Sequence, residues 1–184
     1  FKNFLDVSIK TAGSIALLAQ TMQISCLKSD ILAPVEILVD GGGTFGLGAP
    51  DPYFLNNVTY KYFEKMGYKC KIEVIKDGFY PKGGAKAKLI FHSLKDPKSD
   101  LKPISFSEQG NVKKIGGQIV ASSNLRKPRV AERIKNSITE NFGKRYEDKL
   151  NLKYKYAKSL SSGVGLSIWA EFDSGVILSS GTVL

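Results

Sequence analysis

At 184 residues and 42% hydrophobic content, the chain can hold one large domain or two small ones around a real core. Its formal charge of +10, from 27 Lys and Arg against 17 Asp and Glu, suits a polyanionic partner such as RNA, or simply well-solvated lysine faces. No run reaches transmembrane length and residues 1–9 lack the apolar centre of a signal peptide, so nothing here points to a membrane span or to secretion, and a cytoplasmic location is the expectation.

Phe4 to Ile9 alternates like a strand, and the absence of an initiating methionine suggests a piece of something longer. Thr11-Ala12-Gly13-Ser14 then leads into a helix. Thr11 or Ser14 can cap its free amides, and Ile15, Leu18, Ala19, Met22 and Cys26 form the apolar stripe, with Gln20 off it. Val35, Ile37 and Val39 make a second strand that runs into the glycine-rich loop from Asp40 to Pro52. That loop has neither a P-loop ending nor a dinucleotide fingerprint, although its amides are open to an anion and Pro50 to a flat ring. Pro52 starts a second helix with an inward row of Leu55, Val58, Tyr62 and Met66, stopped by Gly67.

Two further alternating runs, Cys70 to Val74 and Ala85 to Phe91, flank Asp77-Gly78-Phe79-Tyr80-Pro81-Lys82-Gly83-Gly84. Three glycines, a proline and two aromatics are consistent with a phosphate-approach loop tipped by Lys82, but the residue types favour a rigid turn. The order to this point is an α+β unit of the split kind, with two helices on one face of a mixed sheet. Ser93 to Lys102 is polar and proline-broken, a natural linker between residues 1–103 and 104–184.

Beyond it, Ile104 to Ser107 and Val112 to Ala121 alternate like strands around a turn at Glu108-Gln109-Gly110-Asn111. A helix after Pro128 carries Val130, Ile134, Ile138 and Phe142 inward and ends at Gly143, its other faces bearing Arg126, Arg129 and Arg133 among further cations. Leu150 to Ala157 sets Lys153 and Lys155 against Tyr154 and Tyr156, either as a nucleic-acid grip or as core with a solvated edge. Val164 to Phe172 is another strand, and the carboxyl end at Leu184 also looks cut. Cys26 and Cys70 have neither zinc nor disulfide-framework spacing and are expected as reduced thiols, and the single histidine, His92, has no sequence neighbour that would make it catalytic.

Three motifs, Thr11-Ala12-Gly13-Ser14 through Gln20, Gly42-Gly43-Thr44 through Ala49-Pro50, and Gly78 through Gly84, resemble the RNA 3'-terminal phosphate cyclase family in order and spacing. Weaker likeness continues through Glu108, Gly110 and Asn111, Arg126 to Arg133, and Ser162-Gly163. The resemblance implies βαβαββ repeats of the cyclase and enolpyruvyl transferase type, with residues 1–103 as a middle repeat and 104–184 as most of a smaller thioredoxin-like insert. It also implies ATP-dependent conversion of an RNA 3'-phosphate to a 2',3'-cyclic phosphate, through an adenylylated histidine and adenylylated RNA, with a divalent metal (Mg or Mn). By motif alignment Gln20 would contact the nucleotide and Pro50 would pack on the adenine.

The family's amino-terminal glycine-rich loop and its carboxyl-terminal histidine segment have no counterpart here, and His92 does not match the nucleophile. No catalytic or metal-ligating residue is therefore assigned, and these 184 residues alone are expected not to turn over. Phe45 and Ala85 stand where many members have an acidic residue and a glycine. The resemblance also admits a noncatalytic relative acting as a binding factor in ribosomal RNA processing; such relatives tend to lose the Thr-Ala-Gly-Ser and Phe-Tyr-Pro signatures, and both are present here.

Overall fold

Alternation along the first half pays out in register. The computed structural model, which describes residues 3–30, 33–94 and 100–184, pairs Val35, Ile37 and Val39 with Phe91, Leu89 and Ala87 across β2 (Val35–Gly43) and β4 (Lys86–Phe91). On the far side of β4, Ile72 of β3 (Cys70–Lys76) faces Leu89; β1 (Phe4–Ser14) runs parallel to β2, giving the order β1-β2-β4-β3. Ile37, Leu89 and Phe91 are fully buried, each contributing about 1.5–3 kcal/mol.

The helix α1 (Ile15–Leu27) and the broken helix made of α2 (Pro52–Phe54), a π-turn (Leu55–Thr59) and α3 (Tyr60–Lys65) contribute Ile15, Ala16, Ala19, Leu55 and Tyr60 to the same core. Ser14 is the cap of α1, its hydroxyl accepting from Leu17 N at 3.2 Å, while residues 11–14 extend β1 past an irregularity instead of leading in as a loop. Gln23 joins the buried stripe, which sequence spacing did not anticipate.

The inward row expected on the second helix is corrected. Tyr60 N donates to Leu55 O, one residue beyond the α pattern, so the helix is rotated after the π-turn and buries Tyr60 where Tyr62 was expected. Tyr62 instead turns to the second sheet, its hydroxyl donating to Ile177 O at 3.0 Å.

That second sheet has the order β6-β5-β7-β8, from β5 (Val112–Ser122), β6 (Leu150–Ala157), β7 (Val164–Phe172) and β8 (Ile177–Val183). One face receives α4 (Val130–Phe142) through Ile119, Ala121, Ala131, Ile134 and Ile138. The first amides of α4 have a remote partner: Ala131 N donates to Tyr156 Oη at 3.1 Å, and Tyr156 donates in turn to Glu132.

Ile104 to Ser107 does not form a strand. β5 already has β6 on one side and β7 on the other, which leaves no ladder for it; Phe106 packs on Tyr62 at 5.7 Å instead, and residues 108–111 make no hairpin. The centre of the expected linker, residues 95–99, lies outside the described residues. Among the described residues no helix is long and apolar enough to cross a membrane.

Candidate functional site

The three glycine-bearing motifs, far apart in sequence, meet at the ends of β1, β2 and β4. Gly41 N donates to Ala85 O at 2.8 Å, Ala85 N to Gly42 O at 3.1 Å, and Thr44 N to Gly78 O at 2.9 Å. Gly83 closes the Phe79–Gly83 bridge with φ +64°, and a Cβ there would sit 2.6 Å from Gly42 O and 2.7 Å from Thr11 O. A side chain is thus excluded both by conformation and by two backbone carbonyls.

From this junction the loop 45–51 projects over the second sheet and encloses a cavity of about 390 Å³ with Phe54, Ser167 and residues 179–183 of β8. Pro50 is half-buried on its wall. Asp51, also on the wall, is the cap of α2: Oδ1 accepts from Tyr53 N and Phe54 N, each at 2.9 Å. Burial pushes the Asp51 carboxyl up from its ordinary value, against the opposing pull of those two amides. The helix start is therefore occupied by the protein's own carboxylate, and the cavity offers an apolar wall beside an acceptor. Gln20 lies half-buried on α1 and is not among the residues lining this cavity.

The departures at residues 45 and 85 have a structural account. Phe45 stacks between Tyr53 (5.7 Å) and Phe79 (6.0 Å) and lies against Gly165 of β7, so its ring joins the loops to the second sheet. Ala85 is fully buried, its methyl packed in the first core.

Beside that stack is a polar cluster that local sequence reading missed. Asp77, nearly inaccessible, accepts from Tyr53 Oη at 2.8 Å and pairs with Lys155 Nζ at 2.5 Å. Burial, then the Asp77 charge, drives the Tyr53 hydroxyl far above its usual range. Lys155, read from alternation as a solvated edge lysine, is thus a tie between the two sheets. Lys82 and Tyr80 are exposed, and Lys82 N donates to Ser161 Oγ at 3.0 Å, so the turn's backbone, too, contacts the second half of the chain.

His92 is exposed on a different cavity of about 510 Å³, which Cys70 also lines. Among the described residues no cluster of three or more His, Cys, Asp or Glu is placed to hold a metal. Both cysteines are free; burial pushes the Cys26 thiol up and that of Cys70 up to about 12. Thiol-disulfide exchange with an aromatic disulfide reagent at pH 8 is therefore expected to run at least about tenfold slower on the folded chain than in urea, and equal rates would contradict the burial of these thiols.

A family model described as RNA 3'-terminal phosphate cyclase matches residues 2–177. Among curated relatives named RNA 3'-terminal phosphate cyclase, that of Methanopyrus kandleri is 30% identical over 175 residues, covering 92% of this chain and 47% of the relative. That of Pyrobaculum aerophilum is 35% identical over 173 residues, covering 94% and 47%, and that of Methanococcoides burtonii 41% identical over 103 residues, covering 56% and 29%. The chain spans about half the length of the curated relatives it matches along most of its length.

Proposed function

Since this chain belongs to the RNA 3'-terminal phosphate cyclase family, we propose that it is the central part of an ATP-dependent enzyme that converts an RNA 3'-phosphate to a 2',3'-cyclic phosphate. The observation that supports this most is the junction of the three motif loops, which places Pro50 on the wall of a cavity of about 390 Å³, within the range of small-molecule sites. When bound, ATP would supply an adenylyl group that turns a phosphate oxygen into a good leaving group.

The residues present fit the adenine end of a nucleotide. Pro50 gives a flat apolar surface, and Asp51 is an acceptor already held in place by two backbone amides. Its carboxylate disfavours triphosphate oxygens nearby, so the phosphates are proposed to lead away from the start of α2. In this reading Gln20 contributes from α1 to the nucleotide's more distant groups. The cyclase's divalent metal, Mg or Mn, has no ready ligand cluster among the described residues.

Two measurements test the reading. ATP binding by a full-length parent should weaken at least about tenfold in Gln20→Ala and in Pro50→Ala, and unchanged affinity in both would remove these residues from the site. The 184 residues incubated with radiolabelled ATP and metal should form no covalent AMP adduct; a stable protein-linked label would overturn the assignment of the nucleophile to another part of the parent.

A further inference from the structure

The face of the second sheet turned toward the first half of the chain is not filled evenly. In register across β6, β5 and β7, it carries Lys155, Val120 and Gly165 in one row, then Lys153, Gln118 and Ser167, then Asn151, Gly116 and Trp169. Phe45 and Phe79 pack on the first row. At the third row a crevice of about 200 Å³ stays open, walled by Tyr53 and Asn57 from the first half and rimmed by Lys114 and Lys153.

Its floor is made by an unusual pairing. Trp169 stands directly opposite Gly116, and a Cβ on Gly116 would lie 2.4–2.6 Å from three atoms of the indole, so the ring lies across the position where a side chain would be. A half-buried indole laid along a sheet, and lining a crevice with room for one flat ring system, is a stacking platform. Two amides beside it are held in place: Asn57 Nδ2 donates to Tyr53 O at 2.7 Å, and Gln118 Nε2 to Ile119 O at 3.1 Å.

The charge around the crevice continues along the seam. Lys153 and Lys155 follow each other on one face of β6 at the strand spacing of about 6.7 Å. Lys155 lies 5.4 Å over the Tyr53 ring, and beyond it a second cavity of about 590 Å³ presents Lys76, Lys158 and Tyr156. Glu171, opposite Lys114, and Asp51, hydrogen-bonded to Ser167 of the middle row, are acidic residues near the crevice, and Asp77 is already paired with Lys155.

We propose that this crevice is a nucleobase subsite for single-stranded RNA, with one base stacking on Trp169 and the flanking phosphates following Lys114, Lys153 and the lysines beyond Tyr53. An aromatic platform inside a lysine-lined groove is the arrangement that grips a single strand with little sequence preference. The subsite is distinct from the Pro50 cavity, which Ser167 of the neighbouring row lines, and rests on the reading that RNA is the substrate.

Trp169 is the only tryptophan of the 184 residues, so its emission reports on the subsite alone. The chain would be titrated with a 5'-labelled single-stranded oligoribonucleotide ending in a 3'-phosphate, following label anisotropy and tryptophan emission together. The expected result is quenching of Trp169 in step with anisotropy, weakening of roughly tenfold in Trp169→Phe or Gly116→Ala, and in Lys153→Ala a salt slope reduced by about one. Lys153 is exposed, so its replacement does not threaten the fold, and urea midpoints would identify any variant that fails for that reason.

Arg133→Ala on α4 serves as the competing surface and should bind as the parent sequence does. RNA binding with silent Trp169 emission, unchanged affinity in Lys153→Ala and a loss in Arg133→Ala would overturn the subsite while leaving RNA as the partner. No anisotropy change would overturn the RNA reading for this chain, and the subsite with it. Quenching by ATP or AMP but not by the oligonucleotide would show a mononucleotide pocket and overturn the proposal as well.

Discussion

Gly83→Ala should cost the chain about 3 kcal/mol or more, moving the urea midpoint down by about 1–2 M. The left-handed backbone at φ +64° accounts for about 1 kcal/mol of this, and the rest comes from pressing a methyl group against two carbonyls at 2.6 and 2.7 Å. Neither carbonyl can swing aside as a flexible side chain would, because both belong to strand backbone, Thr11 at the end of β1 and Gly42 at the end of β2. Gly48→Ala is the matched control: its φ is +70°, but nothing lies within 4 Å of the added atom, so only the conformational cost of about 1 kcal/mol is expected. If equilibrium unfolding gave the two variants the same midpoint, the close approach of the three loops would be wrong.

Phe79→Ala should remove about 3–5 kcal/mol, a large share of the stability of an ordinary domain. The ring is 1% exposed, stacks on Phe45 at an interplanar angle of 10°, and forms with Phe45 and Val120 the small apolar cluster between the two sheets. Its loss leaves Phe45 against Gly165, the Asp77–Lys155 pair and the Lys82–Ser161 and Tyr62–Ile177 hydrogen bonds among the contacts that hold the halves together. Trp169 emission, which reads the second sheet, should then change at a lower urea concentration than far-ultraviolet circular dichroism, which reads both. A single coincident transition less than 1 kcal/mol below the unsubstituted chain would show that Phe79 is not what couples them.

Much of the first half was legible because its signals are local. The strands β2 and β4 follow from alternation, α1 from Ser14 and its apolar stripe, and the end of α4 from Gly143. What escaped depends on partners distant in the chain. Ile104 to Ser107 has strand-like residues but no vacant side on β5 to pair with, and Tyr62 has helical spacing that a π-turn redirects. Gln23 is a polar residue in a buried position: Tyr68 donates to its main-chain oxygen at 2.5 Å, while its side-chain Oε1 has no hydrogen-bond partner among the described residues.

The candidate site divides in the same way. Pro50 was singled out by its motif and does lie on a cavity wall, whereas Asp51 passed as an ordinary loop residue, although an Asp before Pro at a helix start is a readable cap. Lys155 and Trp169 had no such signal. Alternation placed each on a strand, but only the docking of two sheets puts Asp77 beside the one, and only the glycine opposite lays the other flat.

Asp51 also constrains how such a protein can diverge. One carboxylate both starts a helix and faces the cavity, so a substitution that retunes the cavity must first replace a cap worth about 1 kcal/mol. Asparagine is the mildest exit, since it keeps an acceptor for the two amides while removing the charge. Drift at this position is therefore expected to pass through a narrow gate, and a shift in ligand preference would more readily arise on the β8 wall, where Ser179, Ser180 and Thr182 line the cavity from a strand and cap none of the described helices.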